Sequence, residues 1–186
     1  MIDNQHTLPI ILALIPLILG LVWKVAQISF TTLKSIGLTT IVILGIVLVF
    51  TFETDPMTIF LAFAVLLSSF CLMLCQEDAQ QTSLICSSSM IALGLALGVL
   101  LSQGIVSRLF LSGLLGYGAF SLNRQKQGSL RTILTLIHFG VAVILSLFSA
   151  FGGETLRVFA RLFLAVTFLP LVPFHLPFVS MVEGAK

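Results

Sequence analysis

Charge is what this chain has least of: only 9% of its 186 residues are Asp, Glu, Lys or Arg. A soluble domain is about a quarter charged, so a water-soluble enzyme is excluded. Nine Lys and Arg against seven Asp and Glu leave a formal net charge of +2. That is too weak for a nucleic-acid footprint. Cysteine is scarce as well. Cys71, Cys75 and Cys86 sit in or beside apolar stretches and match no zinc or haem spacing. Each reads as a small buried hydrophobe. No basic residue precedes the first apolar run, Leu8 to Val22, which follows Asp3. A secretory signal would carry a positive n-region and a small-residue cleavage site. The run is therefore read as a first membrane helix, and the mature chain is expected to begin at or near Met1. No metal-ligand cluster, nucleotide loop or nucleophile–base pair occurs. The sequence predicts no catalytic residue, no metal and no cofactor, and an enzyme in its own right is the least expected outcome.

What the chain has instead is hydrocarbon. Hydrophobic residues make up 58% and the mean hydropathy is +1.18. A membrane-spanning helix needs about 20 predominantly apolar residues. Polar punctuation divides the sequence into seven apolar segments, at about 8–23, 33–52, 57–75, 82–101, 104–121, 130–150 and 155–176. Short connections are all that remains, and no linker marks a boundary. The expected fold is an all-α membrane protein of about seven transmembrane helices, a single domain over residues 1–186.

Orientation follows from the basic residues of the short loops. With the N-terminus outside, Lys24, Lys34, Arg124, Lys126, Arg131 and Lys186 face the cytoplasm. Asp3, Glu53, Asp55 and Glu154 then lie outside, with Arg157, Arg161 and Arg108 near that surface. An odd number of helices leaves the C-terminus cytoplasmic. The membrane is read as a bacterial cytoplasmic (inner) membrane or an organellar inner membrane.

Two segments are built for close packing. Ala92-x-Gly94-x-Ala96-x-Gly98 places small residues at i and i+4 on the fourth, and the fifth carries Ser112, Gly113, Gly116, Gly118 and Ala119. Such faces let helix backbones approach, within one bundle or against another subunit. The sequence leaves both open.

An ionisable group inside a span is a functional candidate, because burying it in hydrocarbon is costly. Arg108 lies one turn into the fifth segment, where it either snorkels to the surface or lines an ion path. His138 lies about two turns into the sixth, with Leu134, Val141 and Ala142 on its face. It is either hydrogen-bonded within the bundle or a proton relay. Arg157 and Arg161 share one face of the seventh and sit at the interface, paired with Glu154 or a lipid phosphate, or else line a path. No Asp, Glu or Lys falls in the middle of any segment. A proton or sodium pathway ordinarily needs such groups.

The end of the chain is the most informative stretch. Pro170, Pro173 and Pro177 fall within eight residues and cannot continue a regular helix, since each removes a backbone donor and clashes with the preceding turn. The last helix is expected to be Pro-interrupted. Broken backbone at membrane depth survives only where protein or water covers it. A plain helix end at the interface is the other reading.

Leu171-Val172-Pro173-Phe174-His175-Leu176, followed in register by Glu183-Gly184-Ala185, resembles a segment of a known family. That segment, Pro-Phe-His-x-Trp-x-Pro-Asp-x-x-x-Gly-(Ala/Ser/Thr)-Pro, marks the antiporter-like membrane subunits of respiratory complex I, related hydrogenases and multisubunit cation/proton antiporters. The Phe52-Glu53-Thr54-Asp55-Pro56-Met57-Thr58 entry to the third helix is similar to the family's Asp-x-(Leu/Met)-(Ser/Thr) entry. An N-terminus outside and the motif at the end of the seventh helix fit too. The departures are as telling. Phe168 stands where the family places a lysine, and Gly113 or Leu114 where its fifth helix carries the partner glutamate. Pro177 replaces the motif tryptophan, and Val179-Ser180 its Pro-Asp pair. Of the family's functional positions only His175 is retained. The chain thus looks like a truncated, degenerate member.

The leading expectation is a non-pumping structural or coupling subunit of a larger membrane complex. That complex would be complex I-like or hydrogenase-like, or an ion-coupled uptake system such as those for inorganic carbon. Its partners would be other membrane subunits and lipid. A second possibility is a self-contained proton or ion transporter or channel using Arg108, His138, Arg161 and His175. A third is a membrane anchor holding a soluble enzyme through Asn123 to Arg131.

Overall fold

The computed structural model describes residues 4–25, 30–51, 55–75, 79–124 and 130–168. Among the described residues there are seven helices and no strand: α1 (Asn4–Val25), α2 (Phe30–Thr51), α3 (Pro56–Leu74), α4 (Ala79–Leu101), α5 (Gly104–Arg124), α6 (Leu130–Phe151) and α7 (Glu154–Phe168). The all-helical expectation is met, and every helix start lies within four residues of the segment read from the sequence. Among the described residues three stretches are long and apolar enough to cross a membrane: Thr7–Val25, Thr31–Phe50 and Pro56–Leu74. The helices gather into two compact units, residues 1–103 and 104–186.

In the first unit α4 is the central helix and touches α1, α2 and α3. None of its residues 86–101 is exposed. α1 meets it through a stripe of Pro9, Leu12, Ala13, Pro16, Gly20 and Trp23, all buried. Two prolines inside a helix each remove a backbone hydrogen bond. Here both lie on the packed face. The closest approach is set by two glycines. A Cβ on Gly20 would stand 2.8 Å from the Ser87 carbonyl oxygen, and one on Gly94 would stand 2.7 Å from that of Ala13. Only hydrogen fits at either place.

α2 and α3 form an antiparallel pair. Lys34 Nζ donates to the Leu74 carbonyl at 3.0 Å, a Cβ on Gly37 would reach Met73 Sδ, and Gly45 faces Phe63 and Leu66. Asp55 is the N-cap of α3 and Pro56 follows at the first turn, where a missing N–H costs nothing. The amides of Thr58 and Ile59 both donate to the Asp55 carbonyl, at 2.9 and 3.2 Å. Between the two helices runs an apolar groove of about 370 Å³, bounded by Ile41, Val49, Phe63 and Phe70.

In the second unit α6 lies between α5 and α7. Arg108 pairs with Ser146 and Ser149, and Gly118 faces Phe139, so α5 and α6 run antiparallel. α6 and α7 form a second hairpin about 13 residues long per arm. It is closed at its turn by Gly152–Gly153 and near its open end by His138 against Thr167. Gly104, at the start of α5, has φ +64°, a conformation that costs an L side chain about 1–2 kcal/mol.

Candidate functional site

α6 is an inverted amphipathic helix. Thr135, Ala142, Ser146, Ser149 and Ala150 are buried, while Ile133, Ile137, Val141, Ile144, Phe148 and Phe151 are exposed. His138, half-buried, falls in the buried row at the same 3–4 spacing. Residues three and four apart share a helix face, so one stripe of α6 is polar and points into the unit. Its opposite stripe is hydrocarbon.

The inward stripe is hydrogen-bonded at both ends. At one end the Arg108 guanidinium donates to the Ser149 carbonyl. Ser146 Oγ returns a bond to the Arg108 carbonyl at 3.1 Å, and Ser149 Oγ donates to the Ser146 carbonyl at 2.9 Å. At the other end His138 Nε2 lies 2.9 Å from the Thr167 carbonyl oxygen. A carbonyl only accepts, so Nε2 carries the proton. His138 thus bonds a carbonyl of the neighbouring helix, and Thr167 Oγ1 meanwhile donates to the Leu164 carbonyl.

Each of these bonds ends on a backbone carbonyl. Between His138 and Ser146, on the same face, stands Ala142, which is completely buried. Eight residues of helix rise about 12 Å. Over that span this stripe of α6 offers no polar side chain, so it does not join its two polar ends into a relay.

Arg108, Arg157 and Arg161 come together at one end of the unit. Arg161 and Arg157 lie within electrostatic reach of Arg108. Arg157 Nε donates to the Gly152 carbonyl at 2.6 Å. Among the described residues no ion pair joins Glu154 to any of the three. His138 lies eleven residues of α6, about 16 Å, from the Ser149 that holds Arg108, so it is not brought together with Arg108 and Arg161. The remaining motif residues, Pro170, Pro173, Phe174, His175, Pro177, Glu183 and Gly184, lie outside the described residues.

Sequence reasoning found Arg108 and His138 but passed over Ser146, Ser149 and Thr167, the groups that bond to them or accept from them. The signal was present. Thr135, His138, Ser146 and Ser149 fall on one helix face of an otherwise apolar segment. Cys86 is buried, whereas Cys71 and Cys75 are exposed, against the expectation that all three are buried. Both sit on the outward part of α3, only three of whose residues, Ala62, Leu66 and Met73, are buried. Among the described residues no group of three or more His, Cys, Asp or Glu could hold a metal ion. Compared with protein-family models, curated proteins and solved structures, the chain matches none.

Proposed function

We propose that this chain is a seven-span, non-pumping structural or coupling subunit of a larger membrane complex, related to the antiporter-like subunits its C-terminal motif resembles. The N-terminus is outside and the C-terminus cytoplasmic. The observation that carries the reading is the interrupted polar stripe of α6. His138 and Arg108 are held by backbone carbonyls at opposite ends of it, with Ala142 between them. Moving a proton along a helix face needs donors and acceptors within hydrogen-bond reach of one another, and an alanine offers neither. The absence of Asp, Glu and Lys from the middle of the apolar segments supports the same conclusion.

Membrane residence rests on the outward faces. Ile11, Ile18, Val42, Ile46, Phe60, Leu67, Ile137, Ile144, Phe159 and Phe163 are each at least 49% exposed. Soluble monomers rarely expose apolar patches beyond a few hundred Å². In a bilayer these faces meet lipid or neighbouring subunits.

Two measurements test the proposal together. The chain, reconstituted alone in liposomes under an imposed pH gradient, is expected to leak no faster than empty liposomes. Solubilised gently from its own membrane, it is expected to co-purify with other membrane chains. Proton flux that vanishes on replacing His138 or His175 would overturn the non-pumping reading. A stable monomer with no companions would overturn the subunit reading.

A further inference from the structure

The end of the second unit where α5 begins, α6 ends and α7 begins gathers three arginines, and among the described residues no ion pair holds them. Arg108 stands four residues into α5, and Arg157 and Arg161 stand three and seven residues into α7. At a rise of about 1.5 Å per residue, all three fall within roughly 10 Å of that end. The bond from Arg108 to Ser149 fixes the first guanidinium against the last turn of α6. The bond from Arg157 to the Gly152 carbonyl fixes the second against the turn itself. Arg161 shares the face of Arg157 one turn further on, and both are exposed.

Three like charges repel one another, and the repulsion is not relieved internally. Glu154 is the one carboxylate on this turn, and among the described residues it makes no ion pair with them. A guanidinium has five N–H donors. Arg108 and Arg157 each place one bond on a backbone carbonyl, which leaves most of their donors directed elsewhere. The start of α7 adds to the field. Its first backbone bond in this turn runs from the Arg157 amide to the Gly153 carbonyl, so the amides ahead of it are open at the positive end of the helix.

We propose that Arg108, Arg157 and Arg161 form a binding site for a phosphate-bearing anion, the phosphodiester headgroup of an anionic phospholipid being the expected occupant. Guanidinium groups take phosphate oxygens in bidentate fashion, which an ammonium cannot do. Val158 and Leu162, which flank the arginine stripe of α7, are exposed and placed to lie against acyl chains below a bound headgroup. Lipid chemistry, with charge at the helix ends and hydrocarbon along their sides, therefore fits the whole patch. A free phosphate would use the arginines alone. The inference rests on these helices meeting a bilayer and is independent of whether the chain conducts ions.

The test uses the full chain, purified in detergent, with its affinity for added lipid read by native mass spectrometry and by thermal shift. The probes are phosphatidylglycerol, cardiolipin, phosphatidylcholine and inorganic phosphate. The expected result is saturable binding of the two anionic lipids, and none comparable for phosphatidylcholine. Each surface arginine contributes about fivefold to anionic-lipid affinity, so R157Q/R161Q is expected to weaken binding about twenty-fivefold. R157K/R161K is expected to fall between the two, and R108Q to weaken binding independently. Inorganic phosphate that saturates with the same arginine dependence, while the lipids show no preference, would assign the site to a soluble anion and overturn the lipid. Anionic-lipid binding unchanged in both R157Q/R161Q and R108Q would overturn the site. Because Arg161 is exposed, R161Q alone is expected to keep the parent's melting temperature without lipid, which separates lost binding from lost folding.

Discussion

His138 on α6 donates its Nε2 proton to the Thr167 carbonyl on α7 across 2.9 Å. This bond ties the two arms of the α6–α7 hairpin together at the end away from its turn. Leaving a part-buried carbonyl without its donor costs about 1–3 kcal/mol. His138→Ala is therefore expected to lower stability by that amount, read by thermal unfolding. It should also speed hydrogen exchange in the last turn of α7. His138→Gln keeps an N–H donor and is expected to recover part of the loss. Equal melting temperatures for all three proteins would mean the bond is not made.

The glycines of the described helices divide sharply by what surrounds them. A methyl on Gly94 would collide with the backbone of Ala13 and Leu17 at 2.7 Å, whereas one on Gly116 or Gly140 meets nothing within 4 Å. Backbone cannot swing aside as a side-chain tip can. Gly94→Ala and Gly20→Ala are each expected to destabilise by at least about 1–3 kcal/mol through overpacking. Gly116→Ala and Gly140→Ala are expected to stabilise by about 0.5–1 kcal/mol, since alanine is the better helix former. Chemical or thermal denaturation of the four variants checks both signs.

The same two glycines mark where the sequence could and could not be read. Gly94 stood out because it sits in Ala92-x-Gly94-x-Ala96-x-Gly98, a run of small residues that announces close packing. Gly20 did not, although its own approach to Ser87 and Ile91 is as close. In α1 nearly every side chain is apolar, so hydrophobic periodicity carries no information about which stripe faces protein. What distinguishes its packed face is shape, with Pro16, Ala13 and Gly20 on it. α6 is the opposite case. Its few polar residues are the buried ones, and the row from Thr135 to Ser149 names the inner face from sequence. The helix limits were legible because Asp, Glu, Lys, Gln and Gly cluster between the apolar runs. The carbonyls that receive the bonds of Arg108 and His138 were not, because which backbone groups meet a side chain depends on the register of helix against helix.

Ser146 tests that inner face directly. It is wholly buried, and its hydroxyl reaches the Arg108 carbonyl at 3.1 Å. Ser146→Ala loses one hydrogen bond and is expected to cost about 0.5–1.5 kcal/mol. Ser146→Leu must also fit three more carbons against α5, an overpacking expected to cost about 1–3 kcal/mol. Two residues away, Ile144 is 54% exposed, and Ile144→Ala is expected to change stability by no more than about 0.5 kcal/mol. Detergent-denaturation midpoints are expected to fall from Ile144→Ala to Ser146→Ala to Ser146→Leu. A reversed order for residues 144 and 146 would mean that α6 presents its other face.

The proposed orientation has a direct chemical readout in the cysteines. Cys75 is the C-cap of α3 and exposed, Cys71 lies one turn before it, and Cys86 is buried at 1% exposure. The bond from Lys34 to Leu74 puts the end of α3 beside the start of α2, so a reagent that reaches Cys75 reports the side on which Lys34 sits. With the N-terminus outside, that side is cytoplasmic. A membrane-impermeant maleimide is expected to label Cys75 in inverted vesicles and to leave it unlabelled in intact cells. Cys71, about 6 Å deeper along the helix, is expected to react more slowly, because a water-soluble reagent reaches it less easily. Cys86 should react only after denaturation. Labelling of Cys75 from outside intact cells would invert the orientation and place Arg108, Arg157 and Arg161 at the cytoplasmic surface instead.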